Sequence, residues 1–278
     1  MDYYAILTSP YTIIISICTF LYLIKDYLVD YFMRKLMVLL HIYQKKRRPK
    51  RIILVRHGFS MANNNYDILQ RIPDNKIHLA EKGIQQAKEA GKRLKKLLGN
   101  ESIQFYVSPY NRTKETYENI LESLKSNYSE VVYLGSLREQ EYGNLQSEMD
   151  RQFKEQKEVG VFFYRFKNGE SGADVHARMS IFLQYLFRRI LSIDYHSWDN
   201  IVIVSHDMTI KYFIMNFMNL PVTEYENIKQ LGNAEFWTLE KDENGKYHLK
   251  DDIFINKPAE KKMIKKKRKM IKIGIISY

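Results

Sequence analysis

The segment IILVRHG, residues 52–58, decides the fold. Ile52-Ile53-Leu54-Val55 has no polar face, which predicts a strand covered by helices on both sides. It runs directly into Arg56 and His57. Ile201-Val202-Ile203-Val204 repeats the pattern, with His206 two residues beyond its end, and Phe105-Tyr106-Val107 is a third strand candidate, followed by Arg112. Between the first and third strands, Ile84, Ala87, Gly91, Leu94 and Leu98 fall at helical spacings of three and four. Further helices are predicted from about Thr113 to Leu124, from Gly172 to Ile193 behind a Ser171/Asp174 capping pair, and from Met208 to Met218 before Pro221. Residues 234–240 and 246–255 suggest a closing hairpin around Asn244-Gly245. The expected architecture is a three-layer α/β/α sandwich with a mostly parallel central sheet, preceded by an N-terminal hydrophobic helix.

Composition narrows the function. The chain has 278 residues and a formal net charge of +12, but the excess is not on the folded body. Residues 1–51 carry nine Lys/Arg against three Asp, and residues 257–278 nine against one Glu, which leaves residues 52–256 at −2. A basic nucleic-acid-binding face on the domain is therefore not expected. The lone Cys18 excludes an intrachain disulfide framework and Cys-ligated zinc.

Three sections follow: residues 1–50 as a membrane-anchor or amphipathic segment with a basic linker, 51–256 as the catalytic domain, and 257–278 as a basic, solvated tail. Tyr3 to Ile24 holds no charge and, as a helix, is long enough to cross about 30 Å of hydrocarbon. The basic residues after it, ending in KKRRPKR at 45–51, place that side in the cytoplasm by the positive-inside rule. The expected localisation is membrane-anchored with the catalytic domain facing the cytoplasm; a soluble cytoplasmic protein with a buried N-terminal helix is the alternative. Leu36 to Tyr43 is again apolar and suits a membrane surface or a packed position.

His57, Arg112 and His206 all follow the carboxyl ends of parallel strands, the rim where open α/β sheets bind ligands. Two imidazoles with Arg56 and Arg112 suit a doubly charged oxyanion, phosphate above all. Taken singly, each residue has an ordinary structural reading: a loop histidine, a structural arginine (though Arg112 in a first helical turn opposes the dipole), or in Asp207 a helix cap. Their joint placement favours the site.

VRHGFSMANN at 55–64 resembles the RHGxSxxN signature of the histidine phosphatase (phosphoglycerate-mutase-like) superfamily. SPYNRTKET at 108–116 is similar to its second-arginine motif, LREQEYGNLQ at 137–146 to its acidic motif and VSHD at 204–207 to its second-histidine motif. GES at 169–171 with ADVHARM also resembles a family segment. The wording is nearest to the phosphoglycerate-mutase-like phosphatases of plants and fungi. Four motifs in order make the resemblance specific.

The resemblance implies a phosphatase that hydrolyses a phosphomonoester through a phosphohistidine on His57. Arg56, Arg112 and His206 would hold the phosphoryl oxygens, Asn63 would add a neutral donor, and Glu139 would be the general acid. No metal and no cofactor are implied. Asp207 stands where the family usually has Gly, and in the acid-phosphatase branch an Asp there is the proton donor, so it is an alternative to Glu139. Phe59 replaces the Glu that often follows RHG. The expected partner is a small phosphorylated substrate or a phosphoprotein, with no nucleic acid; the membrane is met through the N-terminal segment, and a homodimer stays open. A cofactor-dependent phosphoglycerate mutase is the second reading, disfavoured because the stretch after the acidic motif lacks an adjacent arginine pair. A membrane-tethered, non-catalytic interaction module is the third.

Overall fold

The computed structural model describes residues 10–124, 129–146, 148–192 and 197–255. The basic tail from residue 257 lies outside them. The chain divides into two compact units, Met1–Arg48 and Pro49–Tyr278.

The first unit is built on one continuous helix, α1 (Pro10–Arg47, 38 residues). At 1.5 Å per residue it is about 57 Å long. Leu36–Tyr43 is therefore part of the same helix as residues 10–24 of the uncharged run, not a separate segment; residues 3–9 of that run lie outside the described residues. Ile13, Ile14, Ile15, Phe20 and Leu21 are all at least half exposed.

The second unit alternates strand and helix: β1 (Arg51–Arg56), α2 (Met61–Asn64), α3 (Glu81–Leu98), β2 (Ile103–Val107), α4 (Asn111–Leu124), β3 (Ser129–Tyr133), α5 (Met149–Val159), α6 (Gly172–Leu191), β4 (Asn200–Ser205), α7 (Asp207–Met218), α8 (Val222–Tyr225), β5 (Phe236–Lys241) and β6 (Tyr247–Leu249). The sheet order is β3-β2-β4-β1-β5-β6. β1, β2, β3 and β4 are parallel, and β5 and β6 pair antiparallel at the far edge. The expected three-layer architecture is what forms.

Strand periodicity builds both cores. Ile52, Leu54, Tyr106, Ile201 and Ile203 face α6 and α7. Ile53, Val55, Phe105, Val107, Val202 and Val204 face the other way, onto Ala90, Leu94 and Leu98 of α3 and Tyr117, Ile120 and Leu124 of α4. Because successive strand side chains point to opposite faces, a chain buried on both must be apolar at every position. Ser171 caps α6 by accepting from the Asp174 N–H while the Asp174 carboxylate accepts from the Ser171 N–H, the reciprocal pair expected from sequence.

The expected hairpin forms with a shorter second strand: Lys250 N still donates to Thr238 O at 2.9 Å, and beyond it Phe254 bridges to Ile228 instead. β3 and α5 were not expected from sequence. Of the two, α5 borders the site, through Met149, Asp150 and Phe153.

Candidate active site

The register of the parallel strands places the chemistry. β1 pairs with β4 from Arg51 opposite Asn200 to Arg56 opposite Ser205, so His57 and His206 leave adjacent strands at the same level. Their rings meet edge to face with centroids 5.2 Å apart. β2 lies on the other side of β4, and Arg112 enters from the second residue of α4.

His57 is held by main chain. Its N–H bonds Ser205 O at 3.0 Å, and its carbonyl accepts from Asn233 Nδ2 and Ala234 N, each at 3.1 Å. Ala234 adopts a left-handed backbone (φ 54°) while its N–H is shared between the carbonyls of Arg56 and His57, a strained position of the kind found at functional sites. The next peptide is fixed by Gly58 N donating to Thr116 Oγ1 at 3.0 Å. Gly58 is required here because a β-carbon on it would stand 2.5 Å from Gly83 O on α3.

The His57 ring makes one contact that decides its chemistry: Nδ1 lies 2.7 Å from Gly58 O. A carbonyl only accepts, so Nδ1 carries the proton and Nε2 keeps a free lone pair. Burial, reinforced by Arg112 and Arg56, holds the His57 pKa well below its ordinary value. The ring is therefore a neutral imidazole at physiological pH.

His206 is completely buried, edge to face against both His57 and Tyr110. Its Nε2 is 2.8 Å from Ser108 Oγ, and its Nδ1, 4.0 Å from Glu139 Oε2, makes no hydrogen bond among the described residues. Burial, then Arg112, depresses its pKa as well. Arg56 donates from Nη1 to Leu231 O at 2.5 Å, while its buried Nε makes no hydrogen bond among the described residues. Asn63 turns Oδ1 toward Ser60, accepting from its N–H and hydroxyl at 3.0 Å each, which leaves the amide NH₂ to donate elsewhere.

Arg112 is buried beside the Tyr110 ring, its guanidinium 5.0 Å from the ring centroid. It is bound by Asp74, a residue the sequence did not single out. Arg112 Nη1 donates to Asp74 Oδ1 at 2.7 Å and to Asp74 O at 2.8 Å, and Nη2 to Oδ2 at 3.2 Å.

The two carboxylates proposed as proton donors differ in their surroundings. Glu139 accepts from the Gln140 N–H at 3.0 Å, and burial pushes its pKa up to about 7, with the opposing pull of Arg112 too weak to cancel it. Asp207 is the first residue of α7; the cap position itself falls on His206. Its Oδ1 accepts from Leu231 N at 2.8 Å, so Asp207 and Arg56 grip the two polar groups of one residue. Burial raises its pKa too, partly offset by Arg56.

The Glu139 loop is tied from behind by the segment at 169–171. Glu170 accepts from Arg178 Nε at 3.0 Å and from Arg138 Nη2 at 2.5 Å, and its second oxygen takes the Glu141 N–H at 3.1 Å. Arg178 also reaches Ser136 O and Glu139 O, at 2.5 and 3.1 Å. From the β4–α7 side, Ser205 Oγ holds Leu137 O and Thr209 Oγ1 holds Arg138 O, both at 2.7 Å.

A cavity of about 570 Å³ opens over this floor and is lined by Arg56, His57, Asn63, Arg112, Glu139 and Asp207 among others. His206 lies beneath it. Residues 52–250 match the family model of the histidine phosphatase superfamily, branch 1. The chain belongs to the histidine phosphatase superfamily. Among its relatives, phosphoglycerate mutase-like protein AT74H of Arabidopsis thaliana is 39% identical over 226 residues, covering 74% of this chain and 79% of that protein. The broad-range acid phosphatase DET1 of Saccharomyces cerevisiae is 26% identical over 71% of this chain and 87% of its own length. A mycobacterial glucosyl-3-phosphoglycerate phosphatase, solved with VO₃, shares the fold at a TM-score of 0.58 and 21% identity, covering 74% of this chain and 99% of that one. Membership, with phosphatases among the relatives, supports a phosphoric monoester hydrolase, and phosphoglycerate mutases are among the relatives too.

Proposed function

We propose that the chain is a phosphatase that hydrolyses a phosphomonoester by transferring the phosphoryl group to His57 and then to water. The observation that carries the reading is the Nδ1–H to Gly58 O bond, which frees Nε2 for attack. Nε2 bonds to phosphorus as the P–O bond to the alcohol breaks, and the Glu139 proton goes to the departing oxygen. A water then bonds to phosphorus, Glu139 takes its proton, and the P–N bond breaks to return the lone pair to Nε2. With the Ser108 hydroxyl donating to Nε2 of His206, the Nδ1–H of that ring joins Arg56 and Arg112 in supplying charge and donors to the three equatorial oxygens, where negative charge spreads in the transition state. Asn63 adds its amide NH₂. The depressed pKa of His57 keeps the nucleophile unprotonated, and the raised pKa of Glu139 keeps a proton available near neutrality.

Rapid quenching of a reaction with a ³²P-labelled monoester tests this. The expected product is protein-bound label, stable in base and lost in acid, that is absent from His57→Ala. Label retained by His57→Ala would reject the mechanism, and no phosphate release by the wild type would favour a non-catalytic module.

For α1 the proposed role is a membrane anchor. It is the one described helix long and apolar enough to cross a bilayer, and Lys45, Lys46 and Arg47 form its last turn. That polarity supports a cytoplasmic catalytic unit. Carbonate extraction of the full chain checks it: the protein should stay with the membrane pellet, and release into the supernatant would remove the anchor.

A further inference from the structure

The charge of the cavity wall departs from the charge of its floor. Arg56 and Arg112 are the only basic side chains lining the cavity among the described residues, and Arg112 is already paired with Asp74. Around the mouth stand Asp67, Glu148 and Asp150, all exposed. Glu148 has an exposed partner in Arg151, at 2.7 Å, which does not line the cavity; among the described residues the Asp67 carboxylate accepts from the Gln70 amide alone, at 3.3 Å. The remaining wall is aromatic or uncharged: Tyr66, Tyr142, Phe153, Gln70, Gln146 and Gln230.

Below this wall lie Arg56 and Arg112, with the fully buried His206 and its unpartnered Nδ1 against the lining His57, and this is where the phosphoryl group of the proposed reaction sits. A phosphoryl group set there consumes the positive charge of the floor. An anionic group elsewhere on the same substrate meets carboxylates and ring faces, with no cation to pair it. Like charges brought together in a partly desolvated cleft are a discrimination device, since they penalise one ligand without helping another.

We propose that this site selects monophosphates whose alcohol portion carries no second anionic group, and accepts uncharged or cationic alcohols large enough to lie against Tyr66, Tyr142 and Phe153. The inference rests on the phosphatase reading above and narrows its substrate class. It disfavours bisphosphates and phosphorylated carboxylic acids, and with them a mutase cycle through a bisphosphorylated carboxylic acid.

Three aryl monophosphates test it with the full chain in detergent: phenyl phosphate, 4-carboxyphenyl phosphate and 4-(trimethylammonio)phenyl phosphate. Both substituents withdraw electrons, so leaving-group chemistry alone favours the two charged esters. The expected result is a kcat/KM for the carboxylated ester about tenfold or more below that of phenyl phosphate, with the cationic ester at or above it. Asp67→Lys and Asp150→Lys, both exposed changes, should each narrow the gap between the carboxylated and phenyl esters by about threefold. Equal or faster cleavage of the carboxylated ester by wild type, or a gap that neither charge reversal moves, overturns the inference while leaving the phosphatase standing. Failure to cleave any of the three, with no labelled histidine, overturns both.

Discussion

Asp74 holds Arg112 through both carboxylate oxygens and its own carbonyl, and so occupies the guanidinium that sits over the cavity floor. A carboxylate and a phosphoryl group share Arg112 only at the cost of repulsion between them. Asp74 is therefore part of the anion balance of the site as well as an anchor for the arginine.

Replacing Asp74 by Asn keeps an oxygen for Arg112 and removes the charge. Inhibition by orthovanadate should tighten by about threefold to tenfold, in line with loss of one partly screened repulsion. Asp74 also helps raise the Glu139 pKa. The alkaline limb of the pH–rate profile should accordingly move to lower pH in D74N. Unchanged vanadate inhibition and an unmoved limb would together show that Asp74 only positions the arginine.

Glu139 and Asp207 are separable by rate. With a poor leaving group such as a simple alkyl phosphate, Glu139→Gln should lower kcat by about 100-fold or more, the scale of general acid catalysis. Asp207→Asn should have a much smaller effect, because Arg56 offsets part of the burial that would keep its carboxyl protonated, whereas Glu139 is pushed up to about 7. Wild-type kcat/KM should fall as pH rises through about 7, where Glu139 gives up its proton. In E139Q that limb should vanish. The opposite ranking of the two variants transfers the proton to Asp207.

The raised pKa of Glu139 also carries a stability consequence of definite sign. A carboxyl whose folded pKa lies above its unfolded value favours the folded state fully below the unfolded value, and loses that contribution as pH climbs through the folded one. For Glu139 the window runs from about 4.5 to about 7. E139Q should then unfold at higher temperature than wild type at pH 8, by about 3 °C or more, with a smaller difference at pH 4.5. Melting curves that show no pH-dependent gap would mean that Glu139 ionises without penalty.

Glu170 should matter to turnover without touching substrate. Its carboxylate and the Arg178 guanidinium are about nine-tenths buried, and removing Glu170 leaves Arg178 without a paired carboxylate among the described residues. Glu170→Gln should lower stability by about 3–5 kcal/mol, the usual penalty for breaking a buried pair. Its kcat should fall more than its KM rises, because the Glu139 loop loses its tether while Arg56 and Arg112 keep theirs. A change confined to KM would argue against this positioning role.

Much of this was legible before any coordinates. Arg56, His57 and His206 follow β-strands whose unbroken apolar character announces burial on both faces, and Arg112 opens the helix after a third. Asp74 gave no such signal: it lies in a short turn after Pro73, and its pairing with Arg112 spans 38 residues. Arg178 sits on α6 among residues that read as an amphipathic face, and only the folded chain turns it toward Ser136 and Glu139. β3 escaped notice because Ser-Glu-Val-Val-Tyr is a half-exposed edge strand without a continuous apolar run. α5 has the composition of a solvated helix, yet its Gln152 and Gln156 are buried and its Phe153 joins the cavity wall.

His57 owes its tautomer to the carbonyl of the very next residue, and its lone pair owes nothing to an acidic side chain. The walls that meet the alcohol come from other parts of the chain, around residues 66–70, 142–153 and 207–230. Reactivity and taste are thereby inherited separately. Descendants of this scaffold can exchange one clientele for another by drift in those outlying stretches, while the bond-making atom stays armed by the backbone that carries it.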